Sequence, residues 1–120
     1  MSRGTEKPNI LLIMTDQHNR HFAGCYGNTL VRTPSLDKLA SQGMRFTDTY
    51  CPSPLCVSSR MSFLTSQTPS TNQVWNNNHI LHSGIPTWPN ILSIGGYETA
   101  LIGRMHFCGP DQRHGFESRP

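Results

Sequence analysis

Residues 9–15, Asn-Ile-Leu-Leu-Ile-Met-Thr, carry an unbroken apolar run from Ile10 to Met14. It stops abruptly at Asp16-Gln17-His18-Asn19-Arg20-His21. A short run that is apolar at successive positions reads as a strand buried on both faces, as in a parallel sheet. Polar residues at the C-terminal end of such a strand stand where open α/β sheets place their ligands. Tyr97 to Gly103 reads as a second buried strand, again followed by a polar cluster, Arg104-Met105-His106. Residues 44–50, Met-Arg-Phe-Thr-Asp-Thr-Tyr, alternate and read as a further strand.

Helical patterns separate these runs. Thr33-Pro34 opens a helix from about Ser35 to Gln42, with Leu36, Leu39 and Ala40 on one stripe and Gly43 as its stop. After a Pro- and Cys-containing loop, 51–56, Ser58 to Ser66 reads as a helix with Met61, Leu64 and Phe63 facing a core. Residues 67–86, rich in Gln, Thr, Ser and Asn, read as a long loop. Thr87-Trp88-Pro89-Asn90 begins a third helix, with Ile91, Leu92 and Ile94 inward and an end near Gly95-Gly96. The last stretch, 108–120, is turn-like. The order strand, helix, strand, helix, helix, strand gives an α/β class with layers of helix on a mainly parallel sheet.

The chain has 120 residues, room for one domain at most. Only 14% of them are charged, against about 25% in ordinary soluble domains. That excludes a coiled coil and a charged disordered tail. No run approaches the roughly 20 apolar residues of a membrane span. The formal net charge of +3 is dispersed, which argues against a nucleic-acid stripe and fits a small anionic ligand better. Met1 to Lys7 is polar and carries no secretory signal, so the reading is a cytoplasmic chain with reduced thiols. The four cysteines contain no C-x-x-C pair, which disfavours structural zinc.

The chemistry centres on Cys56-Val57-Ser58-Ser59-Arg60. A cysteine at a helix mouth meets unpaired N–H groups and the positive dipole end, which favour a thiolate and a bound anion. Arg60 lies four residues on and shares the helix face with Cys56. Taken without any relative, the same residues also describe a buried structural thiol and a surface arginine. Cys25, Cys51 and Cys108 read as plain buried thiols. His18 and His21 read as solvated loop residues or as side chains that point at the site, and His79 and His82, in the polar loop, carry the same two readings. Trp75 reads as packing beneath the long loop, or as a face for a quaternary ammonium group.

Five ordered stretches then resemble the sulfatase family. Cys56-Val57-Ser58-Ser59-Arg60-Met61-Ser62-Phe63-Leu64-Thr65 is similar to its C-x-P-S-R signature. Lys7 to Gln17 resembles its first strand, and Thr33-Pro34-Ser35-Leu36-Asp37-Lys38-Leu39-Ala40 its T-P-N-L-D-x-L-A segment. Gly96-Tyr97-Glu98-Thr99-Ala100 and Gly103-Arg104-Met105-His106-Phe107 resemble its G-Y-x-T and G-K-x-H segments. Within the family, Asp16-Gln17 and Cys108-Gly109-Pro110-Asp111-Gln112 look like choline-sulfatase-like and phosphonate-monoester-hydrolase-like members.

The resemblance implies an alkaline-phosphatase-like α/β/α sandwich, of which residues 1–120 form the N-terminal part of the catalytic domain. It implies hydrolysis of a sulfate monoester, with phosphonate or phosphate esters as the alternative, and a non-catalytic fragment or pseudoenzyme as a rival. Cys56 takes the position oxidised to formylglycine, whose hydrate attacks the ester. Asp16 and Gln17, with Cys56 itself, belong to the shell of a divalent cation, Ca²⁺ or in some members Mn²⁺. Arg60 and His106 serve the nucleophile, and Arg104 and Asn77 hold the ester oxygens. The implied partner is a small anionic ester, with no nucleic acid or membrane, and with an oligomer allowed for the full-length protein. Ser58, Ser66 and Arg104 depart from the family's Pro, Gly and Lys. The family closes its metal shell with an Asp-Asn or Asp-His pair and a Lys from later in a much longer chain. Neither pair occurs here, so the expectation is an incomplete site that does not hydrolyse esters alone, in a poorly soluble chain.

Overall fold

The computed structural model describes residues 7–120; the polar opening read from Met1 lies, except for Lys7, outside them. The chain divides into two compact units, 1–48 and 49–120.

The first unit is built on helix α1, Pro34–Gln42, with Pro34 in its first turn and Gly43 at its end. Its anchor is Asp37. The Asp37 carboxylate accepts from the Cys25 amide at 2.6 Å and from the Thr33 hydroxyl at 3.1 Å. Thr33 in turn accepts from the Gly24 amide at 2.8 Å. These bonds hold two short 3₁₀ turns, Arg20–Phe22 and Gly24–Tyr26, against the start of α1. A β-carbon on Gly24 would lie 2.6 Å from Asp37 Oδ2, so a larger residue here would displace the carboxylate that anchors the turn.

The strand expected over 9–15 is corrected by the structure. Residues 9–15 carry no strand pairing, and Ile10, Leu11, Leu12, Ile13 and Met14 are all exposed. A strand exists only through the N–H and C=O groups of a neighbour, and no described segment pairs with this one. The strand expected over 44–50 fails for the same reason. Leu36 and Leu39, the expected apolar stripe of α1, are exposed as well.

The second unit has a core of Val57, Met61, Leu64, Val74, Leu81, Met105, Phe107 and Phe116. Helix α2, Cys56–Thr65, runs through it and buries Val57, Ser58, Arg60, Met61, Ser62, Leu64 and Thr65. Helix α3, Pro69–Asn72, is a single turn inside the segment read as loop. Asn72 ties it back, donating to Thr65 Oγ1 at 3.3 Å and accepting from the Val74 amide at 3.0 Å. Helix α4, Trp88–Ile94, starts at Thr87, whose amide donates to Asn90 Oδ1 at 3.0 Å. Its Ile91 and Ile94 are exposed, against the expectation of a buried face. Trp88 instead packs edge-on against Phe63 and Phe116.

Of the strand expected over 97–103, one parallel bridge is present, Ala100 with Ser118. It is supported by Leu101 N donating to Ser118 O at 3.0 Å and Ser118 N donating to Thr99 O at 3.1 Å. The turn-like tail therefore does structural work: it supplies Phe116 and His114 to the interior.

Candidate functional site

Helix α2 begins at Cys56, after Leu55 in extended conformation. The first regular helical bond runs from Ser59 N to Leu55 O at 2.8 Å, so the amides before it need other acceptors. Asn77 supplies one of them. Its Oδ1 accepts from the Val57 amide at 3.0 Å, across twenty residues. The backbone carbonyl of Asn77 accepts the Cys108 thiol at 3.3 Å. The start of α2, the tip of the polar loop and the 104–108 segment thus meet.

Arg60 makes the second link. It is 8% exposed, and its Nη1 donates to the Arg104 carbonyl at 3.0 Å. Along Gly103-Arg104-Met105-His106-Phe107, Met105 and Phe107 enter the core while Arg104 stays exposed and His106 half-buried. That alternation separates the apolar from the polar side chains. Arg104 Nη2 lies 3.1 Å from His106 Nδ1. His106 has φ of 60°, in the left-handed region that costs a non-glycine residue about 1 kcal/mol or more. Cys56, Arg60, Asn77, Arg104 and His106 therefore belong to one constellation in the second unit.

Asp16 and Gln17 belong to the first unit, both exposed, with Gln17 at φ of 48°. Their oxygen donors are of the type a hard divalent cation takes. Among the described residues, no group of three or more His, Cys, Asp or Glu side chains is arranged to hold a metal ion. The first unit also has a concavity of about 630 Å³ lined by Arg20, His21, Cys25, Tyr26, Arg45 and Thr47, none of them a residue expected to act.

The remaining thiols correct the sequence reading. Cys51 is exposed, and Cys25 and Cys108 are half-buried. Cys51 sits at the flank of α2, its sulfur 2.8 Å from Ser59 Oγ and donating to Ser53 O at 2.9 Å. Trp75, expected to pack beneath the loop, is 51% exposed.

Sequence reasoning missed His114. It is buried, with Nδ1 3.4 Å from Asp111 Oδ2 and Nε2 without a hydrogen-bond partner. Burial lowers its pKa below the usual histidine value, and the neighbouring Asp111 carboxylate only partly opposes that. Asp111 is lowered in turn, first by the His114 amide, which donates to Oδ1 at 2.9 Å. The signal available in sequence was weak: an Asp-x-x-His spacing inside a glycine-flanked turn.

Comparison with known proteins places the chain in a family. A family model described as Sulfatase matches residues 8–118. Choline-sulfatase of Rhizobium meliloti (strain 1021) is 46% identical over 115 residues, 96% of this chain and 22% of that protein. N-acetylglucosamine-6-O-sulfatase of Bacteroides thetaiotaomicron is 35% identical, covering 90% of this chain and 19% of that protein. A solved structure in complex with its substrate D-glucosamine-2-N,6-O-disulfate superposes with a TM-score of 0.89 at 34% identity. That match covers 95% of this chain and 23% of the solved one. The chain spans about a fifth of the length of the curated relatives it matches. Among the described residues, no helix is long and apolar enough to cross a membrane.

Proposed function

Because the chain belongs to the sulfatase family, we propose that it carries the nucleophile half of a site that hydrolyses a sulfate monoester. The observation that carries this reading is the bond from Arg60 to the Arg104 carbonyl, which joins the helix of Cys56 to the Arg104–His106 segment. The architecture proposed for the whole protein is the alkaline-phosphatase-like α/β/α sandwich.

The roles follow from chemistry. Position 56 stands at a helix mouth, where the positive dipole end favours an incoming anion. Converted to formylglycine and hydrated, it would offer an oxygen nucleophile that would bond to sulfur as the bond to the departing alcohol breaks; the second hydroxyl, losing its proton, would then expel sulfate and restore the aldehyde. The Arg104 guanidinium and the Asn77 amide N–H groups would bind the non-bridging ester oxygens as charge shifts among them. His106, held against Arg104, would exchange a proton with the nucleophile or the leaving alcohol. Arg60 would hold the aldehyde hydrate. A divalent cation, Ca²⁺ before Mn²⁺, would add charge neutralisation at the ester oxygens, and the oxygen donors of Asp16 and Gln17 are of the type it takes.

Ser58 supports a second reading. It fills the signature's proline position, is fully buried, and its hydroxyl finds no partner. With Cys56 left as a thiol, the chain would be a phosphonate- or phosphate-ester relative or a non-catalytic anion binder.

The tryptic peptide Phe46 to Arg60, from protein made in a host that produces formylglycine, decides between the two. Conversion lowers its mass by about 18 Da at Cys56. An unmodified thiol at Cys56 overturns the sulfatase mechanism and leaves the second reading.

A further inference from the structure

We infer that His79 is a positioning residue for this site: its imidazole closes the turn that delivers Asn77 to the start of α2. The inference rests on the reading that Asn77 and the mouth of α2 hold an anion.

Asn77 is exposed, in an Asn76-Asn77-Asn78 run that offers the core nothing. Its place depends on hydrogen bonds. The turn leaves the core at Val74, buried completely, and returns to it at Leu81. Between them, His79 Nδ1 lies 3.0 Å from the Trp75 amide and 3.1 Å from the Gln73 carbonyl. Without a proton, that nitrogen accepts from Trp75 N–H; with one, it donates to Gln73 O. Either way the ring ties position 79 back to 73–75. The His79 amide donates to Asn76 O at 3.3 Å, and the Asn78 amide to Asn76 Oδ1 at 2.9 Å. Asn77 is left at the tip, with Oδ1 on the Val57 amide.

This arrangement divides the Asn77 amide between two tasks. Its oxygen is used by the helix, and its Nδ2 donors are left for an oxyanion. Aspartate would satisfy Val57 equally but bring a negative charge to an anion site. Without the His79 ring, the turn regains conformational freedom and Asn77 occupies the capping position less of the time.

Amide hydrogen exchange at Val57 and titration with inorganic sulfate test this on the 120-residue chain. In His79→Ala, Val57 is expected to exchange about fivefold faster, the usual effect of losing a helix cap. The sulfate midpoint should rise by a similar factor. In His79→Asn, the amide oxygen stands in for Nδ1 and both values should return to within about twofold of the starting protein. An unchanged Val57 in His79→Ala overturns the proposal. So does a folded His79→Asn protein whose Val57 stays unprotected, which settles the matter should the alanine variant unfold. A starting protein that takes up no sulfate overturns the anion reading instead, while the Val57 comparison still decides the role of His79.

Discussion

Arg60 reaches from α2 to the carbonyl of Arg104, 44 positions along the chain, with a guanidinium that is almost entirely buried. A buried cation must be well bonded or it opposes folding. Here the bond also fixes where Arg104 and His106 stand relative to Cys56. Arg60→Ala should therefore lower the stability of the second unit by about 1.5–3 kcal/mol, the range for hydrogen bonds to charged groups. Arg60→Lys keeps the charge but loses the planar fork, so it should recover less than half of that loss. Urea unfolding followed by tryptophan fluorescence, to which Trp75 and Trp88 contribute, measures both. Equal stability of Arg60→Ala and the parent would show that the link carries no energy.

His114 gives the second unit a pH dependence of definite sign. Burial makes the neutral ring the favoured form in the fold, so its folded pKa lies below the unfolded value near 6.5. The unfolded chain then binds the proton more readily. Stability is complete above the unfolded pKa and is lost as pH falls through the folded one. Asp111, lowered from 3.8, acts in the same direction at more acid pH. His114→Asn tolerates the positive φ of 41° and does not titrate. Its unfolding midpoint should be flatter than the parent's between pH 7 and 5, as read by thermal unfolding across that range.

The helices were legible because their signals are local. Pro34 in the first turn starts α1, and the Thr87–Asn90 capping pair starts α4. Met61 and Leu64 are buried at helical spacing. The strands were not, because Ile10 to Met14 state that the segment is apolar without stating which segment lies beside it. The relatives are several times longer than this chain. The site was half legible. Cys56 and Arg60 share a spacing, and the family resemblance named Asn77, Arg104 and His106. No pattern within α2 reveals the Asn77 cap or the Arg60–Arg104 bond, since both partners come from distant segments.

Ser66 ends α2 in the left-handed conformation, with φ of 55° and ψ of 30°. Glycine adopts this geometry without the clash a β-carbon makes with the backbone. The family's glycine at this position has that physical reason. Ser66→Gly should raise stability by about 0.5–1 kcal/mol, even though it removes atoms. A loss of stability in equilibrium unfolding would mean that the serine side chain contributes more than the backbone strain costs.

Ser58 buries a hydroxyl without a partner in the third position of α2. Removing that oxygen relieves a desolvation cost of about 1–3 kcal/mol, and alanine is also the better helix former. Ser58→Ala should therefore be stabilising by about 1 kcal/mol. Ser58→Pro should be tolerated, because the Ser58 amide precedes the first regular helical bond of α2. Urea unfolding of both variants checks the energies. The mass of the Phe46–Arg60 peptide shows whether restoring proline raises conversion at Cys56.

Leu11 and Ile13 lie two residues apart in a segment where both are largely exposed, at 85% and 72%. Neighbours of the same parity face one way along an extended chain. With Ile10, Leu12 and Met14 also exposed, the segment offers apolar surface to both sides, the pattern of an unpaired strand prone to joining another copy. The 120-residue chain should self-associate in a concentration-dependent way. Leu11→Lys combined with Ile13→Lys should raise the monomer fraction severalfold, because charge on an edge opposes pairing. Light scattering behind a sizing column measures this. A parent chain that elutes as a monomer across the whole concentration range would show that these side chains find cover within a single copy.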